Sequence, residues 1–259
     1  MKRRDLILAS AGALLPALGR AAQPCPPPQI SVAGGGSATT NCAIVSAGTS
    51  YSTNFALTEN PLSEGGIWKV GKADGGQWND PRTSTNRCYA STNADTGSSR
   101  YADDVAHLKT SFKTFSPNQF AQATVFRQAG YSPAGGHEVE LLLRFTISAN
   151  DAHGYEILWG HSGYIAIVRW NGPLGSYTPL FDPGSGSIPP PVEGDTLRAE
   201  IVGNIISAYR NGSSTPVARV DVSSAGTVYA SGQPGVGFWP VDGSVAQNLG
   251  WKAFSAGDL

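Results

Sequence analysis

Two glutamates set two positions apart carry the sharpest candidate chemistry in the chain. Glu138 and Glu140 lie in the alternating run His137–Ile147. On a strand, such residues share a face with Cα atoms about 6.6–6.8 Å apart. Glycoside hydrolysis uses paired carboxylates about 5–5.5 Å apart for retention or about 6.5–9.5 Å apart for inversion, so this spacing admits a catalytic pair. The plainer alternative is two solvated side chains on an outer strand face, paired with Arg144 across the sheet. A second group is aromatic. Tyr155, Trp159, Tyr164 and Trp170 fall on two neighbouring runs, with His161 between them and Arg169 beside the last. Sugars present apolar C–H faces that stack on rings, and polar tips satisfy their hydroxyls. Tyr155, Trp159, His161, Arg169 and Trp170 are therefore the expected ligand-contacting set, with core packing of the large rings as the alternative.

The remaining side chains nominate little. His107, His137, His153 and His161 are all the histidines. His153 and His161 are placed to approach across a hairpin, but no third ligand accompanies them and no metal site is expected. Asp103-Asp104, Asp182 and Asp258 are the carboxylates available to a structural calcium; no other cofactor is expected. The chain has no Gly-x-Ser-x-Gly elbow, no phosphate loop and no Gly-x-Gly-x-x-Gly. The three cysteines are Cys25, Cys42 and Cys88. Cys25 and Cys42 flank a short Pro/Gly/Ser/Thr segment and are the favoured disulfide, with Cys42–Cys88 as the alternative.

The elements that must position these groups are strands. In 137–147, Val139, Leu141, Leu143 and Phe145 point one way, and Glu138, Glu140, Leu142 and Arg144 the other. Similar runs follow at 154–159, 164–170, 196–202, 205–210, 218–222 and 235–239. Asn171-Gly172 and Asn211-Gly212 are turn signals, and Gly203-Asn204 reads as a tight hairpin. The best helical stretch, 102–112, amounts to a turn or two. Strands every 8–12 residues with little helix indicate two packed sheets of six or seven strands each.

Composition agrees. The 32 glycines and 18 prolines make up about a fifth of the chain, 14% of residues are charged and the net charge is −1. That argues against a helical bundle, and 40% hydrophobic content argues against a disordered chain. Without a basic excess, nucleic acid is not an expected partner. Lys2-Arg3-Arg4 followed by a short apolar run through Leu15 reads as a cleaved signal peptide and not a membrane span. The expected organisation is a signal peptide over 1–22, a Pro/Gly/Ser-rich arm over 23–50, and one β domain over 51–259.

Several segments resemble a known superfamily. Asn54-Phe55 with Glu59-Asn60-Pro61-Leu62-Ser63-Glu64-Gly65-Gly66-Ile67-Trp68, Gly194–Ile201 running into Ile205–Gly212, Gly235–Trp239 and Phe254–Leu259 are similar to strands of the concanavalin A-like lectin/glucanase superfamily, including laminin-G-like jelly rolls. The resemblance covers roughly 51–259. It implies an all-β, two-sheet antiparallel jelly-roll sandwich whose concave face binds or cleaves glycans. The Arg3-Arg4 pair resembles the twin-arginine export signal of bacteria, which implies a periplasmic or secreted protein. Glucanases of the superfamily carry Glu-x-Asp-x-Glu. Here the first Glu falls at Glu138, the Asp position is Glu140, and the final Glu falls at Leu142 or Leu143, so the acid/base is absent. Arg198-x-Glu200 echoes half of a lyase strand. The resemblance thus implies an exported glycan-binding protein without an intact known catalytic motif. The alternatives are a hydrolase or lyase built on Glu138 and Glu140, or a protein-binding adhesion scaffold.

Overall fold

Period-two patterning turns into strands along about half of the described residues in the computed structural model. It describes residues 51–75, 77–91, 103–132, 136–149, 151–173, 175–240 and 243–259, all within one compact unit, Ala47–Leu259. The expected signal peptide, the arm and the Cys25–Cys42 pair lie outside the described residues. The strands are β1 (Tyr51–Thr53), β2 (Trp68–Val70), β3 (Arg82–Thr83), β4 (Cys88–Tyr89), β5 (Asp104–Leu108), β6 (Gln119–Arg127), β7 (Glu138–Ser148), β8 (Asp151–Gly160), β9 (Tyr164–Gly172), β10 (Tyr177–Phe181), β11 (Thr196–Val202), β12 (Ile205–Arg210), β13 (Ala218–Asp221), β14 (Gln233–Trp239) and β15 (Leu249–Asp258).

They form two antiparallel sheets. The first runs β13-β12-β11-β6-β15-β4-β3, with β1 added beside β15; the second runs β10-β9-β8-β7-β14-β5-β2. This is the expected two-sheet jelly-roll sandwich. The inter-sheet core takes Val139, Leu141 and Leu143 from β7, Tyr155, Ile157 and Trp159 from β8, and Ile165 and Ile167 from β9. They pack against Ala121, Ala123, Val125, Leu197, Ala199, Ile201, Trp251 and Phe254 of the first sheet. The Gly203-Asn204 hairpin forms as expected, with Val202 opposite Ile205 and Gly203 at φ +56°. Positive φ at the first of two loop residues suits glycine.

Three expectations are corrected. The 102–112 stretch is not helical: its central residues form β5, which is buried on both faces between β2 and β14 and so shows no alternation. Asn171-Gly172 closes β9 instead of turning. The turn falls later, where the Ser176 N–H donates to Pro173 O, and the Asn171 side chain is occupied with Thr178 Oγ1 at 3.1 Å. Finally, Phe145 does not share a face with Leu143. The ladder shifts register between Leu143 and Thr146, and Arg144 adopts φ +46°, a β-bulge that turns the rest of β7 over.

Past the bulge, Phe145 and Ile147 join a second apolar cluster on the outer face of the second sheet. Its other members include Trp78, Val105, Leu142, Leu158, Val168 and Trp170. Trp78 arrives on the 71–80 loop and meets Trp170 edge-on, with ring centroids 4.5 Å apart. One end of that face is thereby covered.

Candidate functional site

The other end carries the chemistry. β7 is the middle strand of the second sheet, and Glu138 and Glu140 project from it onto one shared face, away from the inter-sheet core. Glu138 stands opposite Trp239 of β14 and Gly160 of β8, and Glu140 opposite Gly237. The glycines make this crowding feasible. A Cβ at Gly237 would lie 2.3 Å from Glu140 Oε2, and one at Gly160 would fall 2.2 Å from the Tyr164 ring. The Glu140 carboxylate and the Tyr164 ring thus occupy the space that side chains would otherwise fill. Tyr164 donates its hydroxyl proton to Glu138. At the neighbouring strand end, a Cβ on Gly136 would come within 3.3 Å of the Tyr164 hydroxyl and 3.6 Å of Trp239, so its bare backbone lies beside both rings. Asp103, just before β5, completes the group. One oxygen from each of Asp103, Glu138 and Glu140 lies within 4.8 Å of the others, and all three residues are buried. Tyr164 and Trp239 are half-buried.

This arrangement sets three buried carboxyl groups beneath two rings. Carboxylate oxygens at this spacing suit hydroxyl donors, and are the oxygen type that a hard divalent cation takes. The solvated-pair alternative is corrected on two counts: both glutamates are buried, and Arg144 pairs with neither. Its guanidinium donates to the backbone oxygens of Pro117, Tyr229 and Gly203 at 2.7–2.9 Å, because the bulge points it to the opposite side.

The five residues expected to contact a ligand do not share a surface. Tyr155 and Trp159 are fully enclosed between the sheets. Tyr155 accepts from the Tyr229 N–H at 3.0 Å, and Trp159 Nε1 donates to Pro189 O at 3.2 Å. Arg169, on the same side, donates to Ala225 O and Thr227 O. Trp170 lies on the opposite face, buried in the Trp78 cluster and donating to Glu156 Oε2 at 2.6 Å. His161, in the β8–β9 turn, is buried beside Tyr131 and donates its backbone N–H to His137 O. Odd positions of β8 and β9 face inward and even ones outward, so the set divides between the two faces.

The histidines and aspartates also disperse. His153 lies near the start of β8 and His161 just past its end, about 26 Å apart at the usual rise. The His137 ring meets the Tyr131 hydroxyl at 2.8 Å, and burial, with His161 nearby, pushes it down to about 4. Burial and Arg127 lower His161 as well, so near neutral pH both rings are uncharged. Asp104 accepts from Ser91 N at 2.7 Å, with its carboxyl raised well above the usual range by burial. Asp182 caps its own turn at Gly184, and Asp258 accepts from Ser116 N. Of the four aspartates considered for calcium, Asp103 alone joins the glutamates. Trp239 and Asp103 were not legible as partners of Glu138, because they adjoin it only through β14 and the start of β5, remote in sequence. Tyr164 had a usable signal: it opens the strand that follows Tyr155 and Trp159, within the aromatic group singled out in the sequence.

The fold and the site together define a β-jelly-roll sandwich with an acidic, ring-flanked outer face. No family model matches the chain, and no curated protein does. Among solved structures it is similar to a carbohydrate-binding module, CBM66 from Bacillus subtilis, at 11% identity, covering 76% of this chain and 95% of that one with a TM-score of 0.46. It is also similar to a native glycosidic hydrolase, at 13% identity, 81% and 95% coverage and a TM-score of 0.47. A third is the exoplasmic/lumenal domain of VIP36 in its Ca2+/Man3GlcNAc-bound form, at 11% identity, 76% and 85% coverage and a TM-score of 0.46.

Proposed function

We propose that this chain is an exported glycan-binding jelly-roll protein that receives a sugar on Tyr164 and Trp239. The observation that carries the reading is the pair of half-buried rings beside the bare backbone of Gly136, with the Tyr164 hydroxyl committed to Glu138. The phenol and indole rings offer faces and edges to the C–H groups of a sugar ring. Glu138 acts from below, fixing the phenol, with Glu140 beside it. Binding without turnover is favoured because both carboxylates are buried and one already holds Tyr164, so neither reaches a glycosidic oxygen. Export rests on the basic, apolar start of the chain, and the periplasm or the exterior is its expected place. A glycan array on the purified protein tests the reading: retained glycans are expected, and retention is expected to fall in Trp239→Ala. No retained glycan on the array would overturn it.

One observation favours a second reading. The oxygens of Asp103, Glu138 and Glu140 lie within 4.8 Å of one another, near the separation of about 5–5.5 Å used by retaining glycosidases. Release of reducing ends from an array-positive glycan, abolished in Glu138→Gln, would establish hydrolysis. Unchanged glycan after prolonged incubation supports the binder.

A further inference from the structure

The opposite side of the sandwich holds a second feature, built around the β3–β4 hairpin. Thr85 and Asn86 have φ of +37° and +61°, and Ser84 N donates to Arg87 O at 3.0 Å. Two positive-φ residues make a tight turn whose twist matches its strands, so the hairpin is stiff. Thr83 and Cys88 point into the core. Arg82, opposite Tyr89, and Arg87 therefore share the outer face with the Tyr89 ring. The two guanidinium carbons lie 6.0 and 5.5 Å from the Tyr89 centroid, and that of Arg87 also lies 4.9 Å from the Phe126 centroid on β6. Between Tyr89 and Phe126 runs Gly250 of β15, where a Cβ would come within 3.1 Å of Tyr89 Cβ. The two rings thus rise on either side of a bare backbone, with Arg87 above both.

A guanidinium laid over rings is held in position while its in-plane N–H groups stay open to a planar anion. Among the described residues, no carboxylate pairs with Arg87 and its side chain makes no hydrogen bond. We propose that this hairpin face binds an anionic polysaccharide, taking one carboxylate or sulfate on Arg87 and sugar C–H groups on the edges of Tyr89 and Phe126. Charge complementarity sets the sign of the partner, and the interleaved rings set its class. Nucleic acid affinity comes from several neutralised phosphates at once, which two arginines on a chain of net charge −1 do not supply. An anionic membrane needs a longer basic cluster. The site is independent of Tyr164 and Trp239, which lie on the outer face of the other sheet.

Titration of the purified protein with polygalacturonate, dextran sulfate and neutral dextran tests this. Binding to at least one polyanion and not to dextran is expected, weakening with added salt. Arg87→Gln is expected to reduce it about tenfold, the loss of one bidentate charge-assisted contact. Arg87→Lys is expected to restore it only in part, since an ammonium lacks the planar fork. The preferred polymer then names the anionic group. Polyanion binding that persists unchanged in Arg87→Gln, or its absence in the wild type, would overturn the proposal. So would Arg87-dependent binding to duplex DNA or phosphatidylglycerol vesicles as tight as to the polysaccharide. Trp239→Ala is expected to retain polyanion binding, so failure here and failure of the Tyr164–Trp239 reading are separately visible.

Discussion

Tyr164 and Glu138 are coupled through a single proton, and their variants separate stacking from hydrogen bonding. Tyr164→Phe keeps the ring over Gly160 but leaves the buried Glu138 without that donor. An expected destabilisation of about 1–3 kcal/mol follows, readable by urea denaturation. The further addition of Glu138→Gln is expected to cost less than it does alone, because the two positions interact directly. A second residue-scale expectation concerns acid. Burial, the dominant cause, lowers both His107 and His137 from the ordinary histidine range to about 4. His107 Nδ1 donates to Leu108 O while Nε2 accepts from Ile147 N, so a second proton would abolish an acceptor inside β5. The unfolded chain takes up these protons near pH 6.5 and the folded one only near 4. Stability is therefore full above about pH 6.5 and is lost progressively as pH falls through that window, by up to about 3 kcal/mol per histidine. Denaturation at pH 7.5, 5.5 and 4.5 measures it; a flat profile would contradict the burial of these rings.

Among the elements, β7 shows both what sequence pattern conveys and where it stops. Alternation correctly sends Val139, Leu141 and Leu143 inward and sets Glu138 and Glu140 on one shared face. The β11–β12 hairpin is legible to the residue, because each strand has one apolar and one polar face. The bulge is not legible. It depends on Arg144 reaching the carbonyls of Pro117, Gly203 and Tyr229, three loops far apart in sequence, and on Gly154 and Gly232. A Cβ at either glycine would come within 2.6 Å of the Arg144 backbone. Arg144→Met is expected to strand three carbonyls and destabilise the fold by about 3 kcal/mol or more, with a matching fall in Tm. A variant as stable as wild type would show that the bulge holds without its guanidinium.

Across the whole molecule, two apolar clusters explain why the fold was easier to read than the site. Turn spacing and alternation suffice for a two-sheet sandwich, since the long strands β6, β7, β8, β9, β11 and β15 each have at least one apolar face. Choosing which rings meet solvent takes more, because both faces of the second sheet are apolar over part of their area. Tyr155 and Trp159 vanish into the inter-sheet core, and Trp170 is roofed by Trp78 on a loop whose docking no local pattern announces. What stays half-open is the end where Gly136, Gly160 and Gly237 leave space for Tyr164, Trp239 and the carboxylates. The most direct measurement is calorimetric titration of an array-positive glycan into the wild type, Trp239→Ala and Trp170→Phe. The structure predicts about a tenfold or greater loss of affinity for Trp239→Ala, as expected when a stacking ring is removed, and wild-type affinity for Trp170→Phe. Undiminished binding by Trp239→Ala, with loss in Trp170→Phe, would contradict it.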